Sequence, residues 1–164
     1  MYSAVKEIKD REDNVLWLNA GEFFQGTIWY GQFKWRAASQ FNNLMEFDAM
    51  TLGNHELDDK IEGIVPFLAN QSCAVIVSNL NHSQVPELQG LYSKSIVKHI
   101  AGQAIGLVGD ITPETAYIAD PENLIFLDEV EALTAEVAIL KEQGIKTIIA
   151  IGHSGYIRDQ LQCC

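Results

Sequence analysis

The 164-residue sequence is short of positive charge, of cysteine and of long apolar runs. Eleven Lys and Arg stand against 22 Asp and Glu, a formal net charge of −11, so no general positive field exists to hold nucleic acid or an anionic membrane. An anionic small substrate is still allowed, because a bound divalent cation inverts the local potential. No window of about 18 uninterrupted apolar residues occurs, which argues against a membrane-spanning helix. The N-terminal stretch has no apolar h-region and meets its first charged side chain at Lys6, so the chain as given carries no signal peptide. Cys73, Cys163 and Cys164 show no metal-type spacing. Cys73 precedes the apolar Ala74-Val75-Ile76-Val77 and is expected to be buried, while the terminal pair reads as a tail thiol pair, a lipidation site, a truncation point or a frayed end. A glycine-rich phosphate loop between strand and helix is also missing, which removes the generic nucleotide binder. There is no internal repeat, low-complexity segment or linker, and the length fits about one domain.

What is present alternates. Tyr2 to Arg11 places Val5 and Ile8 three apart and predicts a short amphipathic helix. Residues 14–18 read as a buried strand, and Gly21 to Gly31 as a loop rich in aromatics: Phe23, Phe24, Trp29 and Tyr30. From Gln32 to Leu44, Phe33, Ala37, Phe41 and Leu44 recur at helical spacing and predict one helix with that face inward. A strand over Phe47 to Leu52 follows, then a helix over Asp59 to Ala69 with Ile61, Ile64, Val65 and Leu68 inward, where Pro66 limits the start. Ala74 to Val77 reads as a central strand, Ser93 to Ile100 and Gln103 to Val108 as a hairpin about Ala101-Gly102, and Leu124 to Leu127 as a short strand. Asp128 to Gln143 is a helix with Val130, Leu133, Val137 and Leu140 on one face and Gly144 at its end. A strand to Ile151 and a tail helix close the chain. Such alternation predicts an α/β fold, a mostly parallel sheet flanked by helices. His82 and His99 have no motif around them and read as surface residues. Asn70-Gln71-Ser72 and Asn81-His82-Ser83 are glycosylation acceptor triplets, a weak pointer to a secretory compartment.

Three hydrophobic runs end in glycine and a possible metal ligand. They are Val15 to Leu18 before Asn19-Ala20-Gly21-Glu22, Phe47 to Leu52 before Gly53-Asn54-His55-Glu56-Leu57-Asp58-Asp59, and Thr147 to Ile151 before Gly152-His153-Ser154-Gly155. Ligands of open α/β sheets bind at the carboxyl ends of strands, so these turns are candidate sites if they converge. Read singly, Glu22 is equally a surface acid, Asn54 and His55 a turn with a capping imidazole, and His153 a structural histidine.

Together, in this order and over nearly the whole chain, these blocks resemble the 5'-nucleotidase and salivary apyrase family of calcineurin-like metallophosphoesterases. The resemblance implies hydrolysis of nucleotide phosphates with two divalent metal ions, zinc or manganese by ligand type. It implies that Glu22 stands at the position bridging the two ions, that Asn54 and His153 are ligands of the second, and that His55 stabilises the phosphoryl transition state with Asp58 orienting it. It also implies an extracellular or cell-surface location and a nucleotide as partner.

The departures from the family pattern matter as much. The Asp-x-His strand that supplies two ligands of the first ion is missing, and so are the second Gly-His motif and the nucleoside-binding C-terminal domain. Glu22 stands where the pattern has Asp. Residues 1–164 are therefore expected to be a partial N-terminal metallophosphoesterase domain retaining the second-metal site only, with impaired or absent activity. The alternative is a non-catalytic secreted fragment that binds a ligand or partner. Loss of a first strand predicts an exposed sheet edge and self-association.

Overall fold

The computed structural model of the chain describes residues 1–162; the Cys163-Cys164 pair lies outside the described residues. In chain order the elements are α1 (Tyr2–Arg11), β1 (Leu18–Asn19), α2 (Ile28–Phe33), α3 (Trp35–Leu44), β2 (Ala49–Met50), a 3-10 turn (Asn54–Leu57), α4 (Lys60–Ala69), β3 (Ala74–Val75) and β4 (Leu80–Asn81). A second 3-10 turn (Pro86–Leu88) leads to β5 (Ser95–Ile100), β6 (Gln103–Gly109), α5 (Thr115–Ile118), β7 (Ile125–Phe126), α6 (Glu129–Glu142), β8 (Thr147–Ile151) and α7 (Tyr156–Gln162). No helix among the described residues is long and apolar enough to cross a membrane.

Two ladders build the body. In one, β1, β2 and β3 run parallel in that order, with Leu18 opposite Ala49 and Ala49 opposite Ala74. In the other, the β5–β6 hairpin is antiparallel and β8 joins β6 in parallel, Ile105 opposite Thr147. The pair β4–β7 is antiparallel. Between the two main ladders lies an apolar layer of Ala49, Ile76, Leu107 and Ile151, with Leu16, Leu18, Ile96, Ile105 and Ile149 against it. Outside the first ladder, Phe24, Met50, Leu52, Ile64, Phe67 and Leu68 pack it against α3 and α4. Outside the second, Val108, Leu133 and Leu140 seat α6. The expected α/β sandwich is therefore present, with the strands of the first ladder shorter than the hydrophobic runs that carry them.

One predicted face is wrong. The helix expected over Gln32 to Leu44 is broken at Lys34, which has φ 54° and ψ −140° and separates α2 from α3. Within α3 itself the apolar face is not the inward one: Phe41 and Leu44 are 53% and 58% exposed, as is Phe33 of α2 at 50%, while Ala37, Ala38, Ser39 and Asn42 are buried. Small and polar residues win this face because α3 lies against the end of α4, whose last carbonyls need donors. Ser39 Oγ donates to the Asn70 carbonyl at 3.2 Å, Asn43 Nδ2 to the same oxygen at 2.7 Å, and the Asn42 amide to Gln71. Ala37 aside, the inward face was not the greasy one. The expected aromatic loop also becomes helical at Ile28, where the Thr27 side chain accepts the Tyr30 N–H.

Smaller differences follow the same logic. Pro66 sits inside α4 rather than delaying it. Cys73 is half-buried, not buried, and burial raises its thiol pKa above the ordinary value. His82 is half-buried, its Nδ1 2.7 Å from the Tyr92 hydroxyl, so it is no plain surface residue. The polar strand end at Ser78-Asn79 is structural: buried Asn79 donates to the Ile111 and Leu127 carbonyls and accepts the Ile111 N–H.

Candidate metal and catalytic site

The three polar strand ends converge. Asn19, closing β1, accepts the Gly21 N–H on its side-chain oxygen at 3.0 Å and turns the chain. Gly21 has φ +88°, and a Cβ there would lie 2.2 Å from the Gly53 nitrogen. A Cβ on Gly53 would fall 2.8 Å from the Glu22 nitrogen and 2.9 Å from His153 Cε1. Only glycine at both positions lets the loops after β1, β2 and β8 touch.

Glu22 is set between two imidazoles. Its Oε2 is 3.6 Å from His153 Nε2 and its Oε1 is 3.7 Å from His55 Nε2. His153 Nδ1 is 2.7 Å from the Ala20 carbonyl, which can only accept, so Nδ1 donates and Nε2 is the nitrogen that faces Glu22. His55 Nδ1 meets Asp58 Oδ2 at 2.6 Å, and Gln25 Nε2 donates to that same oxygen at 2.7 Å. The hydrogen bond to Asp58, the largest influence, raises the His55 pKa above its ordinary value, with burial opposing it. Asn54 heads the 3-10 turn beside His55 and is half-buried.

Separations of 3.6 and 3.7 Å are too long for hydrogen bonds. They are near the spacing of two donors sharing one ion, about 3.4 Å for ligands each about 2.1 Å from the metal. The Glu22 oxygen and His153 Nε2, a metal donor in the neutral imidazole, thus fit a divalent cation in chemistry and spacing. Among the described residues no group of three His, Cys, Asp or Glu is arranged to hold a metal.

Two side chains at the site escape a reading based on ligands alone. Gln25 steadies Asp58 from an exposed loop with φ +76°. Glu56 is fully buried and accepts four backbone N–H groups, from Glu22, Phe23, Phe24 and Gly53. Burial pushes its carboxyl pKa up, and the four N–H donors pull against that. The signal available in the sequence was a carboxylate three residues after the turn glycine, the spacing at which a side chain reaches back to a helix-capping N–H.

Parallel strands under helices thus gather imidazole, carboxylate and amide at their carboxyl ends, where open α/β sheets bind ligands. The profile of the calcineurin-like phosphoesterases matches residues 1–162. The chain belongs to that family. It is 42% identical over 160 residues to an apyrase of Tabanus yao, covering 97% of this chain and 29% of the apyrase. It is 44% identical over 164 residues to a 5'-nucleotidase of Diplobatis ommata, covering 98% of this chain and 28% of that one. Among solved structures, a 5'-nucleotidase precursor from Thermus thermophilus superposes with a TM-score of 0.94 at 31% identity, covering 98% of this chain and 32% of that chain. The chain thus spans less than a third of the length of these relatives.

Proposed function

We propose that residues 1–164 are part of the N-terminal metal-binding domain of a 5'-nucleotidase or apyrase-type hydrolase acting on nucleotide phosphates outside the cell. The observation that carries this reading is Glu22 bracketed by His55 and His153 at 3.7 and 3.6 Å. Glu22 Oε2, His153 Nε2 and the Asn54 amide oxygen would hold one divalent ion, zinc or manganese by donor type. A bound ion of this kind lowers the pKa of a coordinated water and neutralises phosphoryl charge. His55 would present Nε2 to the phosphoryl group, with Asp58 fixing its orientation and favouring the charged form through the 2.6 Å contact. Gln25 holds Asp58 in turn.

With one metal position proposed for these residues, we expect weak binding of one ion and little or no hydrolysis of AMP. Titration with manganese or zinc should give a single site that His153→Ala and Asn54→Ala both abolish. AMP turnover at an ordinary enzymatic rate would overturn the expectation of impairment, and metal binding indifferent to both substitutions would overturn the site. A second reading, a non-catalytic fragment that binds a ligand or partner, is favoured by the short donor list among the described residues. It predicts no bound metal at all.

A further inference from the structure

The geometry points to Glu56 as the positioning residue of this site: its carboxylate staples the loop after β1 to the loop after β2, and so sets where Glu22 stands relative to Asn54 and His55. The inference rests on the metal site proposed above. Glu56 is 0% exposed and both of its oxygens are used twice. Oε2 accepts the Glu22 N–H at 2.8 Å and the Gly53 N–H at 2.6 Å; Oε1 accepts the Phe24 N–H at 3.1 Å and that of Phe23. Three consecutive amides thus converge on one anion, a concave arrangement that favours negative charge. The fourth amide belongs to the other loop, so the carboxylate joins segments 34 residues apart in sequence.

The staple is needed because the loop it grips is strained. Glu22 and Gln25 have φ of +74° and +76°, left-handed conformations that side-chain-bearing residues hold only under constraint. Glu22 is also a long carboxylate, 43% exposed on its side chain, so its head group is confined mainly through its backbone. Releasing that backbone would let the 3.6 and 3.7 Å spacings to His153 and His55 drift. Glu56 itself faces amides and not the ion, so it acts through Glu22.

The test pairs a metal titration with amide exchange. In Glu56→Gln, an NH2 group replaces an oxygen and confronts two N–H donors. Manganese affinity, followed by the EPR signal of the free ion, should fall about tenfold or more, as for other residues that orient ligands. Leu133→Ala, which empties a buried position under α6, should lower stability but leave affinity unchanged. In the unmodified chain the amides of Glu22, Phe23, Phe24 and Gly53 should exchange slowly despite lying in loops. Should Glu56→Gln fail to fold, Glu56→Asp keeps the charge but retracts it, and the same loss is expected. A folded variant with unchanged manganese affinity, or four amides exchanging at open-loop rates, overturns the staple. Absence of manganese binding by the unmodified chain would sink the metal site instead, and leave the amide exchange to decide the staple.

Discussion

Tyr92 lies away from the site and its ionisation reports on the fold. Its hydroxyl donates to the Leu80 carbonyl at 2.9 Å and lies 2.7 Å from His82 Nδ1, with the two rings edge to face at 5.2 Å. Burial pushes its pKa up to about 12 from the ordinary 10.0. The folded chain therefore keeps this proton in a range where the unfolded chain has lost it. The sign is that the stability contribution is complete below pH 10 and is lost as the pH rises through 10 towards 12. Urea midpoints measured from pH 9 to about pH 11.5 should fall more steeply for the unmodified chain than for Tyr92→Phe. Parallel curves would show that Tyr92 is not held in its neutral form. Buried Asn79 illustrates a different residue-scale point: a polar side chain that follows a strand need not be a site, since its carboxamide is consumed by the backbone of residues 111 and 127.

At the scale of elements, α3 decides what the sequence made legible. Its exposed rings carry little of the fold, so Phe41→Gln should change unfolding free energy by no more than about 0.5 kcal/mol. Phe67→Ala, on the fully buried face of α4, should cost about 3–5 kcal/mol. Chemical denaturation of the two variants measures both, and a large loss at Phe41 would mean that the face is covered after all. Periodicity misassigned this face because it counts apolar side chains without knowing which polar groups the face must meet, here the Asn70 carbonyl and the Gln71 side chain; the break at Lys34 that splits the predicted helix is likewise a backbone event with no apolar signature. In α6 the pattern holds: Leu133 and Leu140 are buried with Val130 and Val137 half-buried beside them. The hairpin at Ala101-Gly102 and the strand end at Ile151 were equally readable, because turn residues and apolar runs are local signals, whereas the strands expected to end at Leu18 and Leu52 end at Asn19 and Met50. The grouping of Glu22, His55 and His153 was readable through motif order. Glu56 was not, since its role depends on amides of a loop distant in sequence.

At the scale of the whole molecule, the first ladder ends at β1, whose only strand partner among the described residues is β2. The Asp48 N–H bonds the Trp17 carbonyl and the Thr51 N–H bonds the Asn19 carbonyl, so the alternate residues Leu16 and Leu18 direct their backbone groups away from β2. An open parallel edge with apolar neighbours is a template for pairing with another chain. A second exposed feature competes with it as a route to association: Ile28, Trp29, Phe33, Phe41 and Leu44 form an uncovered apolar surface on α2 and α3. Light scattering behind size exclusion should report a mass above the 18.2 kDa of the chain. The triple substitution Trp29→Glu, Phe33→Glu and Phe41→Glu separates the two routes, because it removes the exposed rings and leaves the β1 edge intact. We expect the association to survive it. A monomer only in the triple variant would assign association to the ring-bearing face, and a monomeric unmodified chain would show that a net charge of −11 suffices to keep the edge apart.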